Sequence, residues 1–210
     1  DIAADDLSLE IDVESSIVGP IRVPLECELV AVRRSIVDGL ERLAGAAAYA
    51  RTGTDGESAG PITVIESTIL GPVHARRMPY ASEAIFTGVV RVERTQEGCV
   101  RFSYVPPGST TPRRYHCQPD LVLDDDTLTP IQRARIEARL RPSFTSVHFH
   151  DPGYTQLGHH CPPELREGAE SGAEMGVWSS LRNPQRETNL RIRLAEYLPF
   201  GLEPVLIHVT

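Results

Sequence analysis

The chain has 210 residues and a formal net charge of −8 at pH 7. This length is enough to bury a core without help from a metal or a disulfide framework. The acidic balance argues against a general affinity for nucleic acid or anionic lipid, since both need clustered positive charge. Charges interrupt every long apolar stretch, so neither a membrane span nor a signal peptide is predicted.

The strongest pattern is an internal repeat in the first half of the chain. Each copy reads small residue, two apolar residues, a Gly-containing turn, and another apolar residue. Aligned on their isoleucines, the copies start at Ile17, Ile36, Ile69 and Ile85. An inserted loop at about residues 44–60 accounts for the one long spacing. Alternating apolar and polar segments flank the copies, which predicts short strands.

These strands leave no room for crossover helices, which excludes a doubly wound α/β sheet. We therefore predict a mainly β fold, with a short right-handed parallel β-helix, or solenoid, over residues 1–105. The four aligned isoleucines would stack inside it as a ladder. The alternative is an antiparallel sandwich, because hairpins also produce short alternating strands. Repetition of one turn at one phase favours the solenoid.

Residues 106–210 are predicted to form a mixed α/β cap of helices and loops, packed on the solenoid. Thr129 suits the N-cap of a helix and Pro130 suits its first turn, so a helix is expected from Pro130 to about Leu140. Ile131 and Leu140 are among its expected apolar positions.

Three further elements are expected in the cap. They are a short helix near residues 163–168, a last helix over about 183–197, and a terminal strand over 205–209. Leu190, Leu194 and Tyr197 fall at spacings of four and three in the last helix. We expect these three side chains to face the core.

Four closely spaced histidines are the candidate ligands of a metal ion. They are His148, His150, His159 and His160. In a strand, side-chain alternation would place His148 and His150 on one face, as many metal sites require. The alternative is a polar loop whose histidines bond to backbone carbonyls, since no established metal-binding spacing is present. No other cofactor is predicted.

The four cysteines include no closely spaced pair, so a zinc knuckle is not predicted. Cys117 and Cys161 both flank proline-containing loops, which makes them the first candidates for a disulfide. The alternative is that both are buried free thiols.

No catalytic residue is predicted, because the main nucleotide-binding and hydrolase motifs are missing. A β-helix can carry polysaccharide chemistry when carboxylates stack on adjacent coils. Glu14, Glu66 and Glu93 are the acids nearest to such a stack, but they occupy different positions of the repeat. A non-enzyme is therefore expected, with a carbohydrate-binding or carbohydrate-cleaving β-helix as the alternative.

Three segments of the chain carry a resemblance to a protein family. They read EGCVRFSYVPPGSTTPRRYHCQP (97–119), CPPELREGAESGAEMG (161–176) and NPQRETNLRIRLAEYLPFGLEPVLIHVT (183–210). With the repeat, they resemble the C-terminal part of uncharacterised bacterial β-helix proteins associated with phage-tail-like contractile injection gene clusters. The resemblance carries no catalytic residue and implies a structural or protein-interaction module.

The same resemblance sets the expected partners and location. The expected partners are other protein subunits or a second copy of the chain, with no nucleic acid and no membrane insertion. The expected location is the bacterial cytoplasm or an assembled particle.

Overall fold

The computed structural model describes residues 9–40, 46–54 and 56–206. It is a mainly β fold whose strands lie in three parallel sheets, with six strands in the first sheet and four in each of the others. The strands are β1 (Glu10–Glu14), β2 (Ile17–Val18), β3 (Ile21–Val23), β4 (Leu29–Arg33), β5 (Ile36–Asp38), β6 (Tyr49–Arg51), β7 (Ile62–Ile65), β8 (Thr68–Leu70), β9 (Val73–Ala75), β10 (Tyr80–Ser82), β11 (Ile85–Phe86), β12 (Val90–Val92), β13 (Cys99–Arg101) and β14 (Arg113–Tyr115).

Successive strands enter the three sheets in a fixed order. β1, β2 and β3 contribute one strand to each sheet, and the next nine strands repeat that order three more times. We call these groups units 1 to 4. Neighbouring units are joined by parallel pairing in every sheet. The antiparallel sandwich considered from the sequence is therefore wrong.

The predicted isoleucine ladder is wrong by one residue in its third member. Thr68, not Ile69, pairs with Ile36. The row that faces the shared core is Val18, Val37, Ile69 and Phe86. Because side chains alternate across a strand, Ile17, Ile36 and Ile85 lie on the opposite face of the second sheet.

A recurring corner between the first and second sheets sets this register. One residue at each corner has a φ between 45° and 54°, which is uncommon for a residue other than glycine. These corner residues are Ser15, Arg34, Glu66, Glu83, Phe102 and His116. A small residue follows each of them, and in unit 3 it is Ser67. Aligning Thr68 as that small residue produced the error of one position.

Serine hydroxyls connect neighbouring units at this corner. The Ser16 amide donates to Ser35 Oγ at 3.0 Å, and the Ser35 amide donates to Ser67 Oγ at 3.1 Å. Ser35 Oγ and Ser67 Oγ each donate to the carbonyl two residues earlier at 2.7 Å. A buried amide without a partner costs about 1–3 kcal/mol, so a small hydroxyl residue is favoured at this position.

The boundaries of the repeat differ from those predicted. The 44–60 insertion was predicted as a loop, yet it contains β6, and Tyr49 is buried with its hydroxyl donating to the Gly60 carbonyl at 2.9 Å. Parallel pairing also continues beyond residue 105. β14 pairs with β13, and Gln118 forms a parallel bridge with Tyr104.

The described helices follow the sheets in the sequence. They are α1 (Asp120–Leu123), α2 (Pro130–Arg139), α3 (Pro163–Arg166) and α4 (Asn183–Tyr197), with a 3-10 turn at Ser179–Leu181. The predicted start of α2 is confirmed, since Thr129 and Gln132 form a reciprocal capping box. Leu140 is buried as expected, whereas Ile131 is exposed.

The structure also bears on three other expectations about the cap. Leu190 and Tyr197 of α4 are exposed, so the prediction that they face the core is wrong. All four cysteines, each within the described residues, are free thiols: Cys117 is buried in the core of the sheets and Cys161 in the cap, so the candidate disulfide is not formed and the alternative of buried free thiols is confirmed. Residues 205 and 206 are not in a strand, and 207–209 lie outside the described residues.

Across the described segments, no helix has the length and apolar character needed to cross a membrane.

Candidate functional site

The cap covers the outer face of the second sheet with apolar side chains. Ile85 and Tyr104 pack in one cluster with Leu165 and Met175. Ile36 packs in a second cluster with Leu70 and Tyr154 from the sheet edge and the cap. Burial of these outward residues explains why the strands of the second sheet are apolar on both faces.

Glu83, at the corner of unit 4, bonds to the cap. Its carboxylate accepts hydrogen bonds from the Glu170 amide at 3.0 Å and from Ser179 Oγ at 3.4 Å. Burial raises the pKa of Glu83 above its ordinary value, against the lowering effect of those donors. Sequence reasoning missed this residue, although an acid at the corner position, with apolar neighbours after it, was a usable clue.

A second carboxyl group, Glu174, is buried where the cap meets α4. Only 3 % of Glu174 is exposed, and its Oε1 accepts a hydrogen bond from Asn183 Nδ2 at 2.8 Å. Burial raises the pKa of Glu174 to about 7. The protonation state of Glu174 therefore affects its contact with Asn183, the first residue of α4.

His148 and His150 line a groove of about 760 Å³ beside the second sheet. They lie in a turn, so the expectation that a strand places them on one face is wrong. The groove also exposes Phe149 and Asp151, and the Asp151 carboxylate accepts from Ser146 Oγ at 2.5 Å. Its walls thus combine an aromatic ring with imidazole and carboxylate groups.

His159 and His160 lie in a different turn and do not line this groove. His160 Nε2 is 2.7 Å from Ser143 Oγ, and the His159 carbonyl accepts from Arg166 at 3.2 Å. Within the ranges that the structure describes, no three His, Cys, Asp or Glu side chains form a group that could hold a metal ion. The four candidate histidines are thus divided between two places.

The acids considered for carbohydrate chemistry are not arranged as one row. Glu14 forms an ion pair with Arg34, and Glu66 occupies the corner position of unit 3. Glu93 follows β12 in the third sheet. Cys117 and Cys161 are equally poor candidates for chemistry, because burial raises the pKa of both thiols and so disfavours the nucleophilic thiolate.

The last helix and the segment after it expose six large apolar side chains. They are Leu190, Ile192, Tyr197, Phe200, Leu202 and Val205. Tyr197 is 81 % exposed and Val205 is 80 % exposed. Large apolar side chains exposed in such numbers are typical of surfaces that bind a partner.

Contacts with the cap come from the beginning of α4. Asn183 bonds to Glu174, and Gln185 Nε2 donates to the Ser171 carbonyl at 3.2 Å. Glu187 forms an ion pair with Arg166 at 3.4 Å. At 100° per residue, Leu190, Leu194 and Tyr197 lie on the side of the helix that Asn183 and Glu187 share, beyond these contacts, and we call them the apolar stripe of α4. The stripe is therefore left uncovered where the cap ends.

Comparison of the chain with protein-family models, with curated proteins and with solved structures found no match.

Proposed function

We propose that the three parallel sheets form a short right-handed β-helix, and that the chain is a structural, protein-binding module without catalytic activity. The observation that carries this proposal is the uncovered apolar stripe of α4 together with the apolar segment that follows it. A rigid stack of parallel strands holds the cap, and the cap holds only the beginning of α4. The helix is thereby presented to a partner.

The mode of binding proposed is insertion of a helix into an apolar groove of a partner subunit. Leu190, Leu194 and Tyr197 have the spacing that such helices use for anchoring side chains. An exposed tyrosine is also among the side chains that most often dominate binding energy at interfaces.

The proposed setting is a bacterial phage-tail-like contractile particle, in which other subunits are the partners. Support for this setting comes from the resemblance of the segments at 97–119, 161–176 and 183–210 to proteins associated with such gene clusters. In such a particle, the exposed apolar side chains of α4 would become buried against other subunits on assembly.

The test is quantitative mass spectrometry of contractile particles purified from the bacterium that encodes the chain. We expect the chain at a fixed ratio to the tube subunit. Replacing Leu190, Leu194 and Tyr197 together by Asp should reduce its amount in the particles at least about tenfold, because each charge would be buried without a partner. Circular dichroism of the purified variant checks that it still folds.

A matched control carries the same number of Asp substitutions on the other side of α4. Thr188→Asp, Arg191→Asp and Ala195→Asp all change exposed positions. We expect this variant to enter the particles at the wild-type ratio. Absence of the wild-type chain from purified particles, or equal loss of both variants, would contradict the proposal.

A further inference from the structure

A different surface lies at the unit 1 end of the sheets, where the core side chains are less completely covered than in the other units. Ile11, Val13, Val18 and Ile21 pack against the core but are only partly buried. Their partners in unit 2, in the same rows, are at most 1 % exposed: Val30, Val32, Val37 and Tyr49. The core is thus exposed on the side of unit 1 that faces away from unit 2.

The other end of the first sheet is closed by a polar side chain. Arg114 in β14 takes the row position of the buried Val100. Its guanidinium donates to Thr111 Oγ1, to the Ser109 carbonyl and to Asp120, each at 2.8 Å. Among the described residues the two ends of the first sheet therefore differ in chemistry: the unit 1 end offers apolar side chains for a further layer, and the other end offers a hydrogen-bonded arginine.

The hydrogen-bonding pattern of the corner is incomplete at unit 1. In units 2 and 3 the corner hydroxyl accepts an amide from the unit before it: Ser35 Oγ accepts from Ser16, and Ser67 Oγ accepts from Ser35. Ser16 Oγ donates to the Glu14 carbonyl at 2.7 Å. In unit 1 it occupies the position at which Ser35 Oγ accepts an amide in unit 2. The amide of Ile36 donates to Ser16 O at 2.9 Å, and Ile17 occupies the matching donor position in unit 1. An incoming strand would complete both bonds.

Acidic side chains border this open end. Glu10, Asp12 and Glu14 alternate along β1 on its exposed face. On the unit 2 side, Asp12 forms an ion pair with Arg33 at 2.6 Å, and Glu14 forms one with Arg34. Arginines placed on the open side would flank the same carboxylates, so the complementary strand is a basic one.

We propose that the unit 1 end binds a basic β-strand of another protein, which adds in parallel to β1 and β2. Its apolar side chains cover Val13 and Val18, its arginines or lysines lie beside Asp12 and Glu14, and one of its amides donates to Ser16 Oγ. This is strand addition at a sheet edge, in which main-chain bonds give affinity and side chains give specificity.

Two other occupants of this surface are a second copy of the chain and residues 1–8 of the same chain, and both are disfavoured. A second copy that paired across a two-fold axis would place β1 against β1 and bring acids together. A second copy stacked in the same direction would bring Arg113 to the row of Asp12, but over Val13 it would place Arg114, whose guanidinium is bound within its own chain, instead of an apolar side chain. Residues 1–8 contain three aspartates and no basic residue. Neither occupant supplies both the positive charge and the apolar cover that this surface would attract.

The probe is a fluorescent peptide with the sequence of residues 28–38, ELVAVRRSIVD, titrated against the full chain by fluorescence anisotropy. This segment already pairs with β1 and β2 from the other side, with Arg33 and Arg34 next to the acids. The control peptide carries Arg33→Glu and Arg34→Glu. We expect the control to bind at least about tenfold more weakly, since two pairs become repulsive.

A variant of the full chain gives the reciprocal test. Asp12→Arg changes an exposed position beside which the proposal places a basic side chain. This variant should weaken binding of the arginine peptide and strengthen binding of the glutamate peptide. Ser16→Ala, which removes only the acceptor hydroxyl, should weaken both peptides.

Four outcomes would overturn the proposal. They are no binding of the arginine peptide at about 1 mM, equal binding of both peptides, binding that appears only after removal of residues 1–8, and a dimer in sedimentation that the peptide dissociates. None of them depends on α4, so the proposed function and this inference fail separately.

Discussion

The protonation of Glu174 links the cap to solution pH. Its pKa rises from the ordinary glutamate value of 4.5 to about 7 because the carboxyl group is buried. Below pH 4.5 the group is protonated in both the folded and the unfolded chain and has no effect on stability. As pH rises from 4.5 to about 7, only the unfolded chain releases the proton, so the free energy of unfolding falls. Above pH 7 this loss is complete.

We predict that Glu174→Gln stabilises the protein at pH 8 and changes little at pH 4.5. The substitution keeps an oxygen that can accept from Asn183 and removes the cost of burying a charge. The gap between 4.5 and about 7 corresponds to at most about 3 kcal/mol at pH 8. Urea unfolding at the two pH values measures the difference.

The control for this prediction is Glu167→Gln, at an exposed position of the same cap. It should change stability by less than about 0.5 kcal/mol at both pH values. A gain for Glu174→Gln that is the same at pH 4.5 and pH 8 would show that titration of Glu174 is not its cause.

Among the elements of the cap, the segment around Gly176 packs directly against the second sheet. The Gly176 amide donates to the Glu83 carbonyl at 2.8 Å, and the Val177 amide donates to Thr68 Oγ1 at 3.1 Å. Gly176 has a φ of 90°, and an added Cβ would lie 2.7 Å from Thr68 Oγ1 and 2.9 Å from Ile85 Cδ1. Only glycine allows this approach.

Gly176→Ala should therefore destabilise the protein by about 3 kcal/mol, from backbone strain and overpacking together. Gly108→Ala separates the two causes, since Gly108 has a φ of 79° with nothing within 4 Å of an added Cβ. It should cost about 1 kcal/mol from strain alone. Thermal unfolding measures both, and equal effects would mean that the cap does not pack this closely.

The two long helices show how far local sequence patterns determine an element. Thr129 and Pro130 predict the start of α2 because capping involves neighbours in sequence. The prediction that Leu190 and Tyr197 face the core used a sound periodicity, and the stripe does continue the side that meets the cap. Whether a stripe is covered depends on what lies opposite it, which periodicity does not contain.

At the scale of the whole molecule, the sequence predicts parallel strands in a recurring order but not their exact register. Ser67 and Thr68 are both small and polar, so composition alone does not tell which one turns the corner. The hydrogen bond from the Ser35 amide to Ser67 Oγ decides it, and this bond joins residues 32 positions apart. The outward Ile36 and Ile85 looked interior because the cap buries them as completely as the core does, whereas Ile17 is 48 % exposed.

The candidate site was less predictable because it also depends on contacts between residues that are distant in sequence. The spacing of His148 and His150 is meaningful only in a strand, and a turn at this position removes the alternation. Glu83 and Glu174 acquire their roles from cap residues that are distant in sequence. The acidic border of unit 1 is visible in the sequence, but its importance depends on the partial burial of Val13 and Val18 behind it.

A crystal structure of the purified chain tests the central claim most directly, because it shows both the stack and the uncovered helix. We predict Val37, Ile69 and Phe86 stacked inside parallel strands, Ile36 and Ile85 beneath the cap, and α4 without cover from its own cap beyond Glu187. Antiparallel hairpins, or Leu190 and Tyr197 buried against the same chain, would contradict this claim.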